Sequence, residues 1–256
     1  MILICGPCVI ENEEQLFTSA KEIIEIVERF PEIDFYFKAS CIKDNRTSNN
    51  NFKGVGFDKG IDLLNIIRNR YSIKTTTDFH TAEQIRLYGN QVDLVQIPAF
   101  LAMQSELTDI ASESSVPIHI KKPQFLNPKD INKPVRKIKD LNPDTEVFVT
   151  DRGTKFGYDE VIMDPRHIRV MRENSDADKI LVDITHPQNH SQMFERRCAY
   201  DIGAASIAVG ADGLFIECHY NPSKALCDAD SQITPELLKY YLMIFKTIYN
   251  NINKSS

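Results

Sequence analysis

The chain has 256 residues, 42% hydrophobic and 26% charged, the balance of an ordinary globular protein. A net charge of -6 argues against a broad surface for nucleic acid or anionic membrane, so an anionic ligand must be caught by a local cluster of cations. No apolar run reaches the roughly 18 residues of a membrane span, no leader pattern precedes the first apolar run, and the 6 scattered cysteines lack the spacing of a disulfide framework; a reduced, cytoplasmic protein is expected.

Along the chain, short β-rich runs alternate with stretches whose apolar residues recur three and four apart. ILIC at 2–5 predicts a first strand, followed by a helix over 14–30. Strands at 34–38 (DFYFK), 73–77 (IKTTT) and 92–96 (VDLVQ) precede helices near 58–70, 81–88 and 102–114. Strands at 117–120 (PIHI), 146–150 (EVFVT) and 180–184 (ILVDI) precede helices near 128–139, 164–174 and 194–209. A last strand at 213–216 (GLFI) leads to a helix over 234–252, where Thr234 is a suitable N-cap and Pro235 a suitable first residue. Eight βα units predict a (β/α)8 barrel, a single catalytic domain spanning 1–256. The alternative, a doubly wound open sheet, lacks a GxGxxG turn after its first strand.

In such barrels chemistry sits where the strands end. The residues past each predicted strand form two chemical groups. Lys38, Lys43, Arg46, Lys121, Lys122 and Arg152 gather cations at one mouth of an acidic protein, suited to phosphate and carboxylate oxygens. Against this stands the reading that they are a solvated rim. Polar residues at the same rim are Glu11, Ser40, Asn45, Asp78, His80, Gln96, Gln124, Asp183 and His219. The second group is Cys8, His186, Glu217 and Asp228, a donor set for a divalent Zn, Fe or Mn ion. Cys8 taken alone reads more readily as a buried structural thiol, and a nucleophile with His186 as its base ranks below metal ligation. The other five cysteines, Cys227 among them, read as core or loop residues without a role.

The segments KASCIKDNRTS (38–48), TDFH (77–80), QIPAFL (96–101), KKPQF (121–125), DRGTKFGYD (151–159), DITH (183–186) and GLFIECHYNPSKALCDADSQ (213–232) resemble the 3-deoxy-D-manno-octulosonate 8-phosphate synthases, in order and over nearly the whole chain. The related 3-deoxy-arabino-heptulosonate 7-phosphate (DAHP) synthases share the GPC opening but read KPRTS where this chain has KDNRTS, and lack KKPQF. The resemblance implies condensation of phosphoenolpyruvate (PEP) with arabinose 5-phosphate in the biosynthesis of a lipopolysaccharide sugar. One branch of the family is metal-independent, with asparagine at the Cys8 position; cysteine there implies the metal-dependent branch, with Cys8, His186, Glu217 and Asp228 as ligands. It further implies Lys38, Lys43, Lys121 and Arg152 at the PEP phosphate and carboxylate, assisted by Ser40 and Gln96. Asn45, Arg46, Thr47 and Ser48 would meet the aldose phosphate, Asp78 and Gln124 would join the substrate site, and His80 would carry a proton. A homotetramer is implied as well.

Two departures bear on the acceptor. Met103 stands where the family has an arginine that reaches a neighbouring subunit's aldose phosphate, and PQNHSQMFERR replaces the longer glycine-containing loop after His186, with Arg196 or Arg197 available as substitute cations. Three readings follow: an octulosonate 8-phosphate synthase, a sibling using erythrose 4-phosphate, or an inactive barrel that binds a phosphorylated metabolite.

Overall fold

A computed structural model describes residues 1–48, 50–156, 161–188 and 197–253. Eight parallel strands close into a barrel in chain order: β1 (Ile2–Gly6), β2 (Asp34–Lys38), β3 (Lys74–Asp78), β4 (Leu94–Ile97), β5 (Ile118–Lys121), β6 (Val147–Asp151), β7 (Lys179–Asp183) and β8 (Gly213–Glu217). The ring is sealed between β8 and β1, with Ile2 opposite Gly213 and Gly6 opposite Glu217. The helices are α1 (Glu13–Val27), α2 (Phe57–Tyr71), α3 (Ala82–Tyr88), α4 (Ser105–Ala111), α5 (Asn132–Lys139), α6 (Arg166–Asn174), α7 (Arg197–Ala208) and α8 (Pro235–Asn253). Their starts have local causes. The Asn12 side chain accepts from the Gln15 amide at the start of α1, and Thr81 and Gln84 form a reciprocal capping box at α3.

The expected elements are present, with two corrections. The helix predicted over 102–114 is shorter, α4 covering Ser105–Ala111 after a separate 3-10 turn at Ala99–Leu101. The stretch expected as a helix over 128–139 likewise opens as a 3-10 turn, Pro128–Ile131, and continues as α5. Among the described residues no helix is long and apolar enough to cross a membrane.

Strand pleating then decides which side chains reach the site, since successive residues point to opposite faces. Ile2, Ile4, Tyr36, Leu94, Phe148, Leu181 and Phe215 form one apolar cluster filling the barrel interior. Their odd-or-even neighbours, among them Leu3, Cys5, Phe35, Phe37, Val147, Val149, Val182, Leu214 and Ile216, join the larger cluster beneath the helices. Counting two residues onward from the interior set gives Lys38, Gln96, Asp183 and Glu217. The same alternation turns Asp78 and Lys121 inward on β3 and β5. The apolar plug is thus capped by a layer of charge at the C-terminal end of the strands.

Candidate active site

That layer lines a cleft with Lys38, Lys43, Asn45, Asp78, Gln96, Lys121, Arg152, His186, Phe215, Glu217 and Asp228 among its walls. Its floor is Phe215, whose ring lies 3.1 Å from the Lys121 ammonium and 5.6 Å from that of Lys38. Each cation that is buried here has an anionic partner. Lys38 lies 3.4 Å from Glu217, Lys43 lies 3.4 Å from Asp78, and Lys121 lies 2.5 Å from Asp183. Burying such pairs costs stability that apolar residues would not, so their concentration at one rim points to binding or chemistry rather than to folding.

The balance of burial and charge differs from group to group. Burial pulls the Lys121 ammonium down to about 8, even though Asp183 opposes the shift. Burial would also lower Lys43, but its neighbours Cys8, Asp78 and Glu217 raise it well above its usual range. Asp78 is buried, yet Lys38 and Lys43 keep its carboxyl far below the ordinary carboxylate range, and it also accepts from Ser40 at 2.8 Å and from Gln96. Burial lowers the His80 imidazole. His80 sits behind the pocket wall, stacked on Phe100 with 6.0 Å between ring centres, and its Nδ1 is buried without a partner among the described residues.

The possible metal donors converge from three strand ends, in two overlapping groups: Cys8, Cys227 and Asp228, and His186, Glu217 and Asp228. Within each, the donor atoms lie within 4.8 Å of one another. Asp228 belongs to both, with its Oδ2 3.1 Å from the Cys8 sulfur, and His186 Nε2 lies 3.8 Å from Glu217 Oε1. Burial opposes ionisation of Asp228, but His186 and Lys43 bring its carboxyl down to about 2. Its backbone takes a left-handed φ of 48°, a conformation rare outside glycine, so the chain accepts local strain to aim this side chain. The other oxygen of Glu217, Oε2, is buried with no hydrogen-bond partner among the described residues. A buried orphan acceptor beside an imidazole nitrogen and a second carboxylate is the chemistry a divalent cation satisfies. The residues present therefore fit such an ion.

Not every rim residue faces the cleft. Lys122 follows inward-facing Lys121 and so points outward, under the helices. There it pairs with Asp151 at 3.3 Å and donates to the carbonyls of Pro123, Leu126 and Gly153. Thr47 and Ser48 are exposed and stand off the lining, Gln124 is half-buried beside it, and Ser40 reaches it only through Asp78. Arg46 turns a guanidinium nitrogen to the Cys227 sulfur at 2.7 Å. Met103 is half-buried against the core, and its carbonyl accepts from Lys137 at 2.9 Å. Arg196 and the segment 189–196 lie outside the described residues.

Cys227 is the residue that sequence reasoning passed over. Expected to have no role, it lies 2.9 Å sulfur to sulfur from Cys8. Its adjacency to Asp228 was the available signal. Asp183 was noted only as a rim residue, yet it organises both Lys121 and His186.

Known proteins resemble the chain over nearly its whole length. A family model described as the DAHP synthetase I family matches residues 1–254. A protein of Campylobacter jejuni subsp. doylei named 2-dehydro-3-deoxyphosphooctonate aldolase is 36% identical over 98% of this chain and 99% of its own length. Proteins of the same name are 37% identical in Wolinella succinogenes, over 93% of this chain and 95% of that one, and 31% identical in Haemophilus influenzae, over 96% and 88%. With its closed eight-stranded barrel, its charged rim and this full-length similarity, the chain belongs to the DAHP synthetase I family, alongside the 2-dehydro-3-deoxyphosphooctonate aldolases.

Proposed function

We propose that the protein condenses PEP with D-arabinose 5-phosphate and water, giving 3-deoxy-D-manno-octulosonate 8-phosphate and inorganic phosphate. The observation that carries this reading is the single inward layer in which Lys38, Lys121 and Arg152 share one cleft with His186, Glu217 and Asp228. Full-length similarity to proteins named for that octulosonate product favours arabinose 5-phosphate over erythrose 4-phosphate as acceptor.

In this reading Lys38, Lys43, Lys121 and Arg152 hold the phosphate and carboxylate of PEP. Among the described residues Gln96 Oε1 and Arg152 Nε are buried without a hydrogen-bond partner, atoms ready to meet a polar ligand. Asn45 and Arg46 meet the aldose phosphate, with Thr47 and Ser48 available from the exposed part of the same loop. C3 of PEP attacks the aldehyde carbon while water adds to C2, and the tetrahedral centre expels phosphate by C–O cleavage. The fixed ammonium and guanidinium groups stabilise the charge that develops, at no cost of reorganisation. His80, whose imidazole is lowered by burial, serves as the proton carrier in this reading. Cys8, His186, Glu217 and Asp228 would hold a divalent Zn, Fe or Mn ion, with Asp183 fixing the His186 ring. Such an ion, when bound, supplies Lewis-acid polarisation or activation of water.

The barrel is proposed to act as one catalytic domain, in a cytoplasmic homotetramer that binds neither nucleic acid nor membrane; sedimentation of the purified protein tests the assembly. The activity is tested by phosphate release from PEP, in metal-replete protein, with arabinose 5-phosphate and with erythrose 4-phosphate. Turnover with the first alone is expected. Preference for the second assigns the sibling reaction, and turnover with neither aldose overturns the enzymatic reading.

A further inference from the structure

Cys227 lies outside the ligand set assigned above, yet its surroundings are those of a donor rather than of filler. Its sulfur is 2.9 Å from that of Cys8 and 3.5 Å from Asp228 Oδ2, which is itself 3.1 Å from the Cys8 sulfur. These three donors form one compact face. The Arg46 guanidinium, which can only donate, approaches the Cys227 sulfur at 2.7 Å, so this sulfur is placed as an acceptor.

The pair is also built into the backbone. The Gln232 amide accepts from the Cys8 N–H at 3.0 Å and donates to the Cys227 carbonyl at 2.9 Å, both bonds buried. One side chain thereby ties together two segments far apart in sequence. Lys38 fixes the Cys8 carbonyl at 3.0 Å from the other side. Nothing in the packing of two small apolar residues requires such a clamp.

We propose that Cys227 is a second thiolate ligand, so that the ion at this rim is held by two sulfurs, Cys8 and Cys227, joined through Asp228 to His186 and Glu217. The proposal rests on the metal-dependent reading above and deepens it. On binding, each thiol gives its proton to solvent and its sulfur lone pair to the ion; nothing is oxidised or reduced. Two soft donors favour Zn or Fe(II) over Mn, which prefers carboxylate and water oxygens.

The test uses the full chain, reduced and kept anaerobic, with cobalt(II) as the probe ion. Thiolate-to-cobalt absorption in the near ultraviolet is expected in the unsubstituted protein. Cys227→Ser is expected to lose about half of it and Cys8→Ser about half, since intensity follows the number of Co–S bonds. An unchanged band in Cys227→Ser overturns the proposal while leaving Cys8 a ligand. A second measurement needs no variant: X-ray absorption of the zinc-loaded protein should show two sulfur neighbours at about 2.3 Å. One sulfur neighbour overturns the two-sulfur set, and the cobalt band of the two variants then shows which cysteine supplies it. No sulfur neighbour overturns it together with the Cys8 role assigned above.

Discussion

The Asp183 carboxylate lies 2.7 Å from Nδ1 of His186. An ionised carboxylate only accepts, and Asp183 is held ionised despite its burial by His186 and Lys121. Nδ1 must therefore carry a proton, and in the neutral ring the lone pair is then on Nε2, the nitrogen that faces Glu217. Asp183 also accepts from Lys121 at 2.5 Å, so one carboxylate orients the imidazole and the ammonium together.

Asp183→Asn should accordingly damage two functions at once. Loss of a carboxylate behind a ligating histidine weakens metal affinity by about 10–100-fold. A chelator-competition titration reads that term, and KM for PEP reads the loss of Lys121 positioning. A variant with unchanged metal affinity would remove Asp183 from this role.

Lys121 supplies a pH signature. Its ammonium is brought to about 8 by burial, so in the free protein its charge is lost as pH rises through about 8. Since kcat/KM reports groups in the free enzyme, kcat/KM for PEP should fall above that pH, while kcat breaks at higher pH because the bound phosphate favours the charged lysine. Lys121→Arg keeps its charge throughout and should lack the break. The stability effect has the opposite sign. The unfolded chain binds more protons than the native state between about 8 and the ordinary lysine value, so the cost of burying Lys121 eases as pH rises through that window.

Metal removal gives a third expectation. Dialysis against a chelator should abolish phosphate release, and a divalent ion should restore it. Full turnover after exhaustive removal, checked by elemental analysis, would refute the assignment of Cys8, His186, Glu217 and Asp228.

The strands were legible because a barrel strand must be apolar and short between helices with a 3.6-residue period. The charged ring was legible because polar residues cluster just past the ends of those strands. The orientation of individual side chains was harder to read. KKP reads as two equivalent cations until pleating separates them, Lys121 into the cleft and Lys122 under the helices. Cys227 escaped notice because its partner, Cys8, is at the far end of the chain, and only closure of β8 onto β1 brings the two together.

This difference between adjacent lysines is measurable. Lys122→Met leaves Asp151 buried with, among the described residues, His167 and the Gly153 N–H as partners, and strips a donor from three carbonyls. The expected loss is about 3–5 kcal/mol, read by urea unfolding. KM for PEP in the folded fraction should change little, whereas Lys121→Met should cost catalysis far more than stability.

Gly6 tests the link between fold and site most directly. It closes β1 beside β2, where an added Cβ would lie 2.0 Å from the Lys38 carbonyl oxygen and 2.9 Å from its carbonyl carbon. Those are backbone atoms, which no rotamer change can move aside. Gly6→Ala must therefore push β1 and β2 apart at the position where Lys38 leaves the strand, at an overpacking cost of about 1–3 kcal/mol or more. For a chain of this length each kcal/mol lowers Tm by about 2–4 °C. Because Lys38 spans Glu217 and the Cys8 carbonyl, the same displacement should raise KM for PEP and loosen the metal. Calorimetry, PEP kinetics and chelator competition should move together; a fall in Tm with both site parameters unchanged would show that the rim is insulated from the β1–β2 register.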